Sequence, residues 1–578
     1  MLILFLVGCG LFQQQSQAAG YPIDSDVQTT LQRTIVPATK TLPATVNLYE
    51  FSSYEANGYG TWAFGSGLAY DKRLDLMPAG YTGTGVTTTE KLLNFFTISD
   101  IHITDKESPN QLIYLQRLYP ASVLPIGASL CSGVMLYSTQ VLDAAVQTIN
   151  ALNKQKPFDF GLSLGDVCNT TQYNELRWYI DVLDGKVISP SSGAHAGAST
   201  IDYQKSFQAA GLDKSIPWYQ TLGNHDHFWM GSFPVDYSLR TDLRQSYITD
   251  EVFATSNLFK DGFATITSHD YYMGVFDGST PYGDIIDAGP VGNFSSAPKV
   301  TADPDRRSLT RIEWLNEFFN TSSNPVGHGF NSTDASNGFA CYSFVPKSTI
   351  PLKVIVLDDT QKEDDNSTDI HGHGFLDATR WTWLKQQLAD GDAAGQLMII
   401  AAHVPISVEV TAANSEMGWW TDSQNAVTLQ GLVDELQSHP NLIMWLSGHR
   451  HLNTVKAFVS PDPVNAPEKG FWEVETPSLR DFLQQFRTFE IDLNSDYTIS
   501  IFTTDVDPAV KAGSLAAVSR KYAIGAEQIV GTWNLITAWN PTNDPTIKAM
   551  PTGSYNAELM KQLSPAMIVK MQALYPTP

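Results

Sequence analysis

LLNFFTISDIH, residues 92–102, decides how the chain is read. A short, largely apolar run ends abruptly in Ser99, Asp100 and His102. Runs of this length without sustained polar alternation suit strands buried on both faces. Open α/β sheets place ligands and chemistry just beyond the ends of such strands. The same grammar recurs four times. FDFGLSL (158–164) leads into GDVCN (165–169), IPWYQTL (216–222) into GNHD (223–226), LMIIAA (397–402) into His403 of AAHVP, and LIMWLS (442–447) into SGHRH (447–451). Together the segments supply Asp100, Asp166, Asn224 and five histidines, residue types that bind or serve hard-to-borderline metal ions.

Helical patterns alternate with these runs. VLDAAVQTINALNK (141–154) places Val141, Ala145, Ile149 and Leu152 on one face. FLDATRWTWLKQQLADG (375–391) offers Asp377 as a cap, Trp381, Leu384 and Leu388 as a stripe, and Gly391 as the stop. LKVIVL (352–357) adds a further buried strand, and the alternation predicts an α/β core with layered sheets. Near the end, Phe489, Ile491 and Leu493, then Tyr497, Ile499 and Ile501, alternate with period two around Asn494-Ser495-Asp496, the pattern of a β-hairpin.

Residues 20–90 read as a linker and irregular lead-in, and 91–507 as the main domain. Within it, 227–350 is a cap-like insert over the site, with one helix in RRSLTRIEWLNEFF (306–319). Residues 508–578 form a mostly helical tail. Residues 1–19 read as an export signal. Leu6-Val7-Gly8-Cys9 resembles a lipobox with Cys9 as the acylated residue, whereas Ser16-Gln17-Ala18 has the small residues that signal peptidase requires. The expectation is an exported protein, periplasmic or an outer-membrane lipoprotein if bacterial, meeting a membrane only through a lipid on Cys9.

The formal net charge of −24 works against tracking along a nucleic-acid backbone, so no long nucleic acid is expected as partner. It does not exclude phosphate esters, because bound cations dominate the local charge of such a site. Two metal ions about 3.5–4 Å apart clamp the attacking and leaving oxygens of an in-line displacement at phosphorus, and they need one bridging carboxylate inside a shell of His, Asp and Asn.

In this order, DxH, GDxxN, GNHD, a lone His and GHxH resemble the calcineurin-like metallophosphoesterase superfamily, over about residues 92–453 and to about 505 with the hairpin. The resemblance implies a four-layer α/β/β/α sandwich and two divalent ions, commonly manganese, iron or zinc. Carried over by position, Asp100, His102 and His451 hold one metal, Asp166 bridges, and Asn224, His403 and His449 complete the second. His225 contacts the phosphoryl group and acts as general acid, with a metal-bridging hydroxide as nucleophile. Asp226 orients the His225 imidazole. Asn224 and His225 face the substrate, and His227 either joins them or packs behind.

Departures narrow the resemblance. Asn169 stands where purple acid phosphatases have tyrosine, and His102 is present where they lack it. Asp226 replaces the Glu of exported 5′-nucleotidases, and no nucleoside-binding domain is evident. The layout most resembles bacterial exported metallophosphoesterases without assigned substrate. The expected function is a metal-dependent phosphoesterase acting on a small phosphate ester. Alternatives are a phosphodiesterase for a small cyclic or lipid-derived diester, and a non-catalytic surface binding protein.

Other residues carry plainer readings. His371 and His373 of HGHG fall in a solvated loop before the helix, and Cys168 is a small buried residue. Asn169, Asn293, Asn320, Asn331 and Asn366 begin N-x-S/T sequences, of which Asn169 lies too near the metals to take a glycan.

Overall fold

The computed structural model describes residues 19–38, 46–114, 132–235, 250–254, 271–363, 372–406, 424–530, 545–548 and 553–576. The expected export segment with Cys9 and Ser16-Gln17-Ala18 lies outside the described residues, as do Cys131, Asn366 and His371. Among the described residues no helix is long and apolar enough to cross a membrane.

The chain forms a mixed α/β structure around two seven-stranded sheets. In chain order their strands are β1 (Asp71–Leu76), β2 (Thr88–Ile98), β3 (Phe160–Ser163), β4 (Trp218–Gln220), β5 (Tyr342–Phe344), β6 (Leu352–Val356), β7 (Leu397–Ala401), β8 (Leu442–Ser447), β9 (Val455–Phe458), β10 (Phe471–Glu475), β11 (Phe486–Asn494), β12 (Ile499–Val506), β13 (Ile547–Lys548) and β14 (Ala557–Lys561). The first sheet runs β1-β14-β12-β11-β2-β3-β4 and the second β5-β6-β7-β8-β10-β9-β13. Strands β2, β3 and β4 are parallel, as are β6, β7, β8 and β10. The five metal-type segments therefore all follow parallel strands.

Packing explains why these strands carry little polar alternation. Phe95 of β2 stacks between Phe160 of β3 and Phe489 of β11, with ring centroids 4.8 and 4.9 Å away. The same apolar core takes in Val354, Ile399, Leu446 and Val474 from the second sheet. The intervening residues of that sheet, Ile355, Ile400 and Trp445, pack with Leu384 and Leu388 of one helix and Leu432 and Leu436 of another. Both faces of the second sheet are thus covered, the condition under which parallel strands are stable.

The helices used below are α1 (Ser138–Gln155), α2 (Tyr173–Asp184), α3 (Arg311–Glu317), α4 (Ala378–Ala393), α5 (Leu429–Ser438), α6 (Leu515–Val530) and α7 (Pro565–Leu574). The predicted faces hold: Val141, Ala145, Ile149 and Leu152 of α1 are buried, and Asp377 caps α4 by accepting from Thr379 N at 2.8 Å and Arg380 N at 3.0 Å. Gly391 does not stop α4, which runs on to Ala393. A Cβ there would meet Met398 Sδ at 2.3 Å, so the glycine is a point of close helix-to-sheet approach. The helix expected over 306–319 is only α3, because the chain turns into it at Thr310, whose hydroxyl and Glu313 form a capping box.

The tail holds the largest departure. Helices α6 and α7 make up most of its described part, but β14 between them pairs with β12 on one side and with β1 of the lead-in on the other. Residues assigned to two peripheral segments thus complete the first sheet. Leu559 of β14 is fully buried. Leu559→Ala is expected to lower the unfolding free energy by about 2–5 kcal/mol, measured by denaturant titration, whereas a loss below about 0.5 kcal/mol would place β14 outside the cooperative core.

Candidate metal centre

The turns that follow the strands put polar side chains into one small volume. Five of the side chains concerned sit on left-handed backbone, with φ of 50° at Asp100, 46° at His102, 52° at Asp166, 75° at His449 and 62° at His451. Such conformations cost non-glycine residues about 1–3 kcal/mol each and persist only when their surroundings enforce them. Motif glycines allow the turns to touch: a Cβ on Gly223 would lie 2.2 Å from Asp166 N, and one on Gly448 would lie 1.9 Å from Ser99 Oγ.

All seven expected ligands converge. On one side, His102 Nε2 lies 3.1 Å from His451 Nε2, which is 3.5 Å from Asp100 Oδ1. On the other, His403 Nε2 is 2.9 Å from Asn224 Oδ1 and 3.2 Å from His449 Nδ1, and His449 Nδ1 is 3.1 Å from Asn224 Oδ1. Asp166 stands between the two groups, its Oδ2 at 3.2 Å from His403 Nε2 and 3.8 Å from His102 Nε2. Among the described residues, three acid and histidine groupings could hold an ion: Asp100–His102–His451, His102–Asp166–His225 and Asp166–His403–His449.

The ring partners settle which nitrogens face inward. His403 Nδ1 donates to the Leu164 carbonyl at 2.7 Å, and His451 Nδ1 donates to Asp481 Oδ2 at 2.6 Å. Each leaves an Nε2 lone pair for the cluster, the arrangement usual for metal-ligating histidines. The Asn224 amide nitrogen donates to the Gly231 carbonyl at 2.9 Å, which turns its oxygen toward His403 and His449. Ring nitrogens and carboxylate and amide oxygens thus crowd one small volume, and His102 Nδ1 and His449 Nε2 are buried with no hydrogen bond among the described residues. A donor set of this kind fits divalent cations of the first transition row.

Two residues, Asp226 and His373, do something other than the sequence suggests, and His227 takes one of its two expected places. Asp226 does not reach the His225 ring. Its carboxylate accepts from the backbone N–H of Asp166 at 2.9 Å, Val167 at 2.9 Å, Cys168 at 3.2 Å and Gly223 at 2.8 Å. The His225 imidazole is held instead by the Asn169 carbonyl, which accepts from Nδ1 at 2.8 Å, while Asp166 Oδ1 takes its backbone N–H at 2.8 Å. His227 packs behind the site, with Nδ1 on Glu363 at 2.5 Å and Nε2 on the Thr360 hydroxyl at 3.0 Å. His373 is 2% exposed rather than solvated.

Several residues escaped the sequence reading. Asp359 Oδ1 accepts from His403 N at 3.1 Å. Arg450, between His449 and His451, turns back to make a bidentate pair with Glu475 at 2.8 and 2.6 Å, so alternate residues of the loop face opposite ways. Arg480 donates to Asn169 Oδ1 at 2.8 Å. All but Asp359 lie in or just after β8 or β10, so the rule that chemistry follows a buried strand also covered FWEVETPSLRD at 471–481.

Charge in the site is arranged for cations. Burial would raise the Asp166 carboxyl, but His403 and His225 beside it hold it well below the usual carboxylate range. Burial would lower His403, yet Asp166 lifts it to about 10, and Asp100 with Asp481 lifts His451 to about 10 in the same way. Both values lie above the unfolded 6.5, so the protons stabilise the metal-free fold below that pH and the benefit is lost as pH rises through about 10. Binding of divalent cations near pH 7 must displace these protons. Calorimetric Mn²⁺ titrations in buffers of different ionisation enthalpy are expected to give different apparent heats, with affinity falling as pH falls. Equal heats would refute the proton load.

No protein-family model matches the chain, and no curated protein matches it in sequence. Among solved structures, it is similar to a dimetal phosphatase from Danio rerio at 11% identity and a TM-score of 0.35, covering 72% of this chain and 98% of that one. It is similar to PhoD at 10% identity and 0.32, covering 77% and 78%. GAP50, the anchor in the inner membrane complex of Plasmodium, aligns at 12% identity and 0.29, covering 84% and 96%. These likenesses are loose, and the chemistry of the site rests on the side chains described above.

Proposed function

We propose that this chain is a two-metal hydrolase of phosphate esters of the calcineurin-like type, its two sheets and their helices forming an α/β/β/α sandwich. One observation carries the reading: the Asp166 carboxylate reaches a histidine of each group, His102 and His403, as a bridging ligand between two ions must. Asp100, His102 and His451 would hold one ion, and Asn224, His403 and His449 the other, with Asp166 shared. Manganese, iron and zinc all suit this donor set. A divalent pair held there lowers the pKa of a water to supply the nucleophile and offsets charge on the phosphoryl oxygens.

The remaining work falls to His225, the one residue of the cluster besides His451 that is only partly buried. Its Nδ1–H stays on the Asn169 carbonyl, which fixes the ring and leaves Nε2 as the atom that hands a proton to the departing ester oxygen. Asn224 lies beside it and borders the substrate. The net charge of −24 and the absence of any basic run in the sequence support a small ester as substrate rather than a long nucleic acid. We also propose export directed by residues 1–19, with Cys9→Ala followed by membrane fractionation as its test: release would support a lipid anchor, and unchanged partition would reject it.

Manganese-loaded protein is expected to hydrolyse an aryl phosphate monoester faster than the bis-aryl diester. Asp166→Ala is expected to lose metal and at least about 10³-fold in kcat, and a variant retaining both metals and turnover would sink the reading. Preference for the diester would move the substrate to the cyclic or lipid-derived class, and full metal loading without turnover of either would favour a binding protein. His225→Gln is expected to cost about 10²–10⁴-fold in kcat with a poor leaving group and much less with a good one, since a good leaving group needs no proton. Equal losses with both would remove His225 as the acid.

A further inference from the structure

Four consecutive residues after β10, Ser478-Leu479-Arg480-Asp481, between them reach three turns of the centre, those after β2, β3 and β8. The Ser478 hydroxyl donates to the Asp100 carbonyl at 2.7 Å while accepting from Arg480 N at 2.8 Å and Asp481 N at 3.2 Å. Leu479 N donates to the Ser99 carbonyl at 3.2 Å. Arg480 Nη1 donates to Asn169 Oδ1 at 2.8 Å and to Thr104 Oγ1 at 3.2 Å, and the Thr104 hydroxyl in turn donates to the His102 carbonyl at 2.8 Å. Asp481 accepts from His451 Nδ1 at 2.6 Å. Ser478, Leu479 and Arg480 are all at most 3% exposed.

We propose that Ser478–Asp481 is a positioning segment that seats one half of the centre, Asp100, His102 and His451, and couples it to the acid His225. The inference rests on the two-metal reading above and adds a division of labour within it. Asp481 acts through His451, fixing the tautomer that turns Nε2 inward and aligning the ring. Arg480 acts through Asn169, whose side chain it holds and whose carbonyl holds His225 Nδ1. The other half is oriented from elsewhere, with the Leu164 carbonyl on His403 Nδ1 and the Gly231 carbonyl on the Asn224 amide. The two ends of one short loop therefore control different things: Asp481 the retention of one ion, and Arg480 the geometry of proton delivery.

The test is metal stoichiometry and affinity, read by Mn²⁺ titration with paramagnetic resonance, alongside leaving-group dependence of kcat. The full-length protein should bind two equivalents, and fewer would defeat the two-metal reading whatever the variants do. Asp481→Ala is expected to weaken one equivalent by about 10–100-fold, the usual loss when a carboxylate behind a histidine ligand is removed, and to leave the other unchanged. Asp481→Asn, which keeps an acceptor for Nδ1–H, is expected to recover most of that affinity and serves in place of the alanine variant if the latter does not fold. Arg480→Gln is expected to keep both equivalents but to lose activity in proportion to the leaving-group pKa. Wild-type binding of both ions by Asp481→Ala, or an even loss across both, would overturn the role of Asp481. An Arg480→Gln loss independent of leaving group would overturn that of Arg480.

Discussion

The carboxylate of Asp226 takes four backbone N–H groups, three from the turn after β3 and one from the turn after β4. It is fully buried, which with the neighbouring Asp166 pushes its carboxyl up to about 8, and the four N–H groups satisfy its oxygens there. By consuming those amides it ties the two turns into one body and presents the Asp166 side chain from its far side. The backbone N–H of His225 closes the same unit on Asp166 Oδ1. The place of Asp166 between the two histidine groups, and with it the proposed sharing of its carboxylate, depends on this anchor. It also explains why GNHD needs an acid at its last position without that acid touching the imidazole beside it.

Around this anchor the centre is under conformational load. Five side chains project from left-handed turns, and their inward nitrogens and oxygens repel one another unless positive charge lies between them. The structure answers the first problem with buried braces, the Arg450–Glu475 pair among them, and leaves the second to protons or cations. Replacing Arg450 would release the turn that aims both His449 and His451. Pre-organisation of this kind explains how ligands drawn from two sheets meet within a few ångströms.

The sequence made the strand ends legible because an apolar run meeting a polar cluster is a local signal, and each of the seven proposed ligands lies in one. The orientation of side chains behind the ligands was not legible. Whether His227 faces the pocket depends on Glu363 and Thr360, over a hundred residues away, and His373 is buried by packing that its own neighbours do not announce. Gly391 has the residue type of a helix stop, but Met398 across the interface decides its use. Strand β14 was hidden for another reason: only five residues long, it lies between two helices, and its register partner β1 sits in a stretch rich in turn formers.

That pairing bears on how the chain comes to be folded as it is made. Synthesis runs from the N-terminus, and among the described residues β1 has β14, nearly five hundred residues downstream, as its one neighbour in the first sheet. Every residue of the metal centre, ending with Asp481, has left the ribosome before β14 exists. The first sheet therefore stays open at β12 during elongation, with an unpaired strand edge awaiting the last segment. Completion waits for β14, and a nascent chain stalled or clipped short of residue 557 would carry the candidate metal-centre residues on a sheet that cannot close.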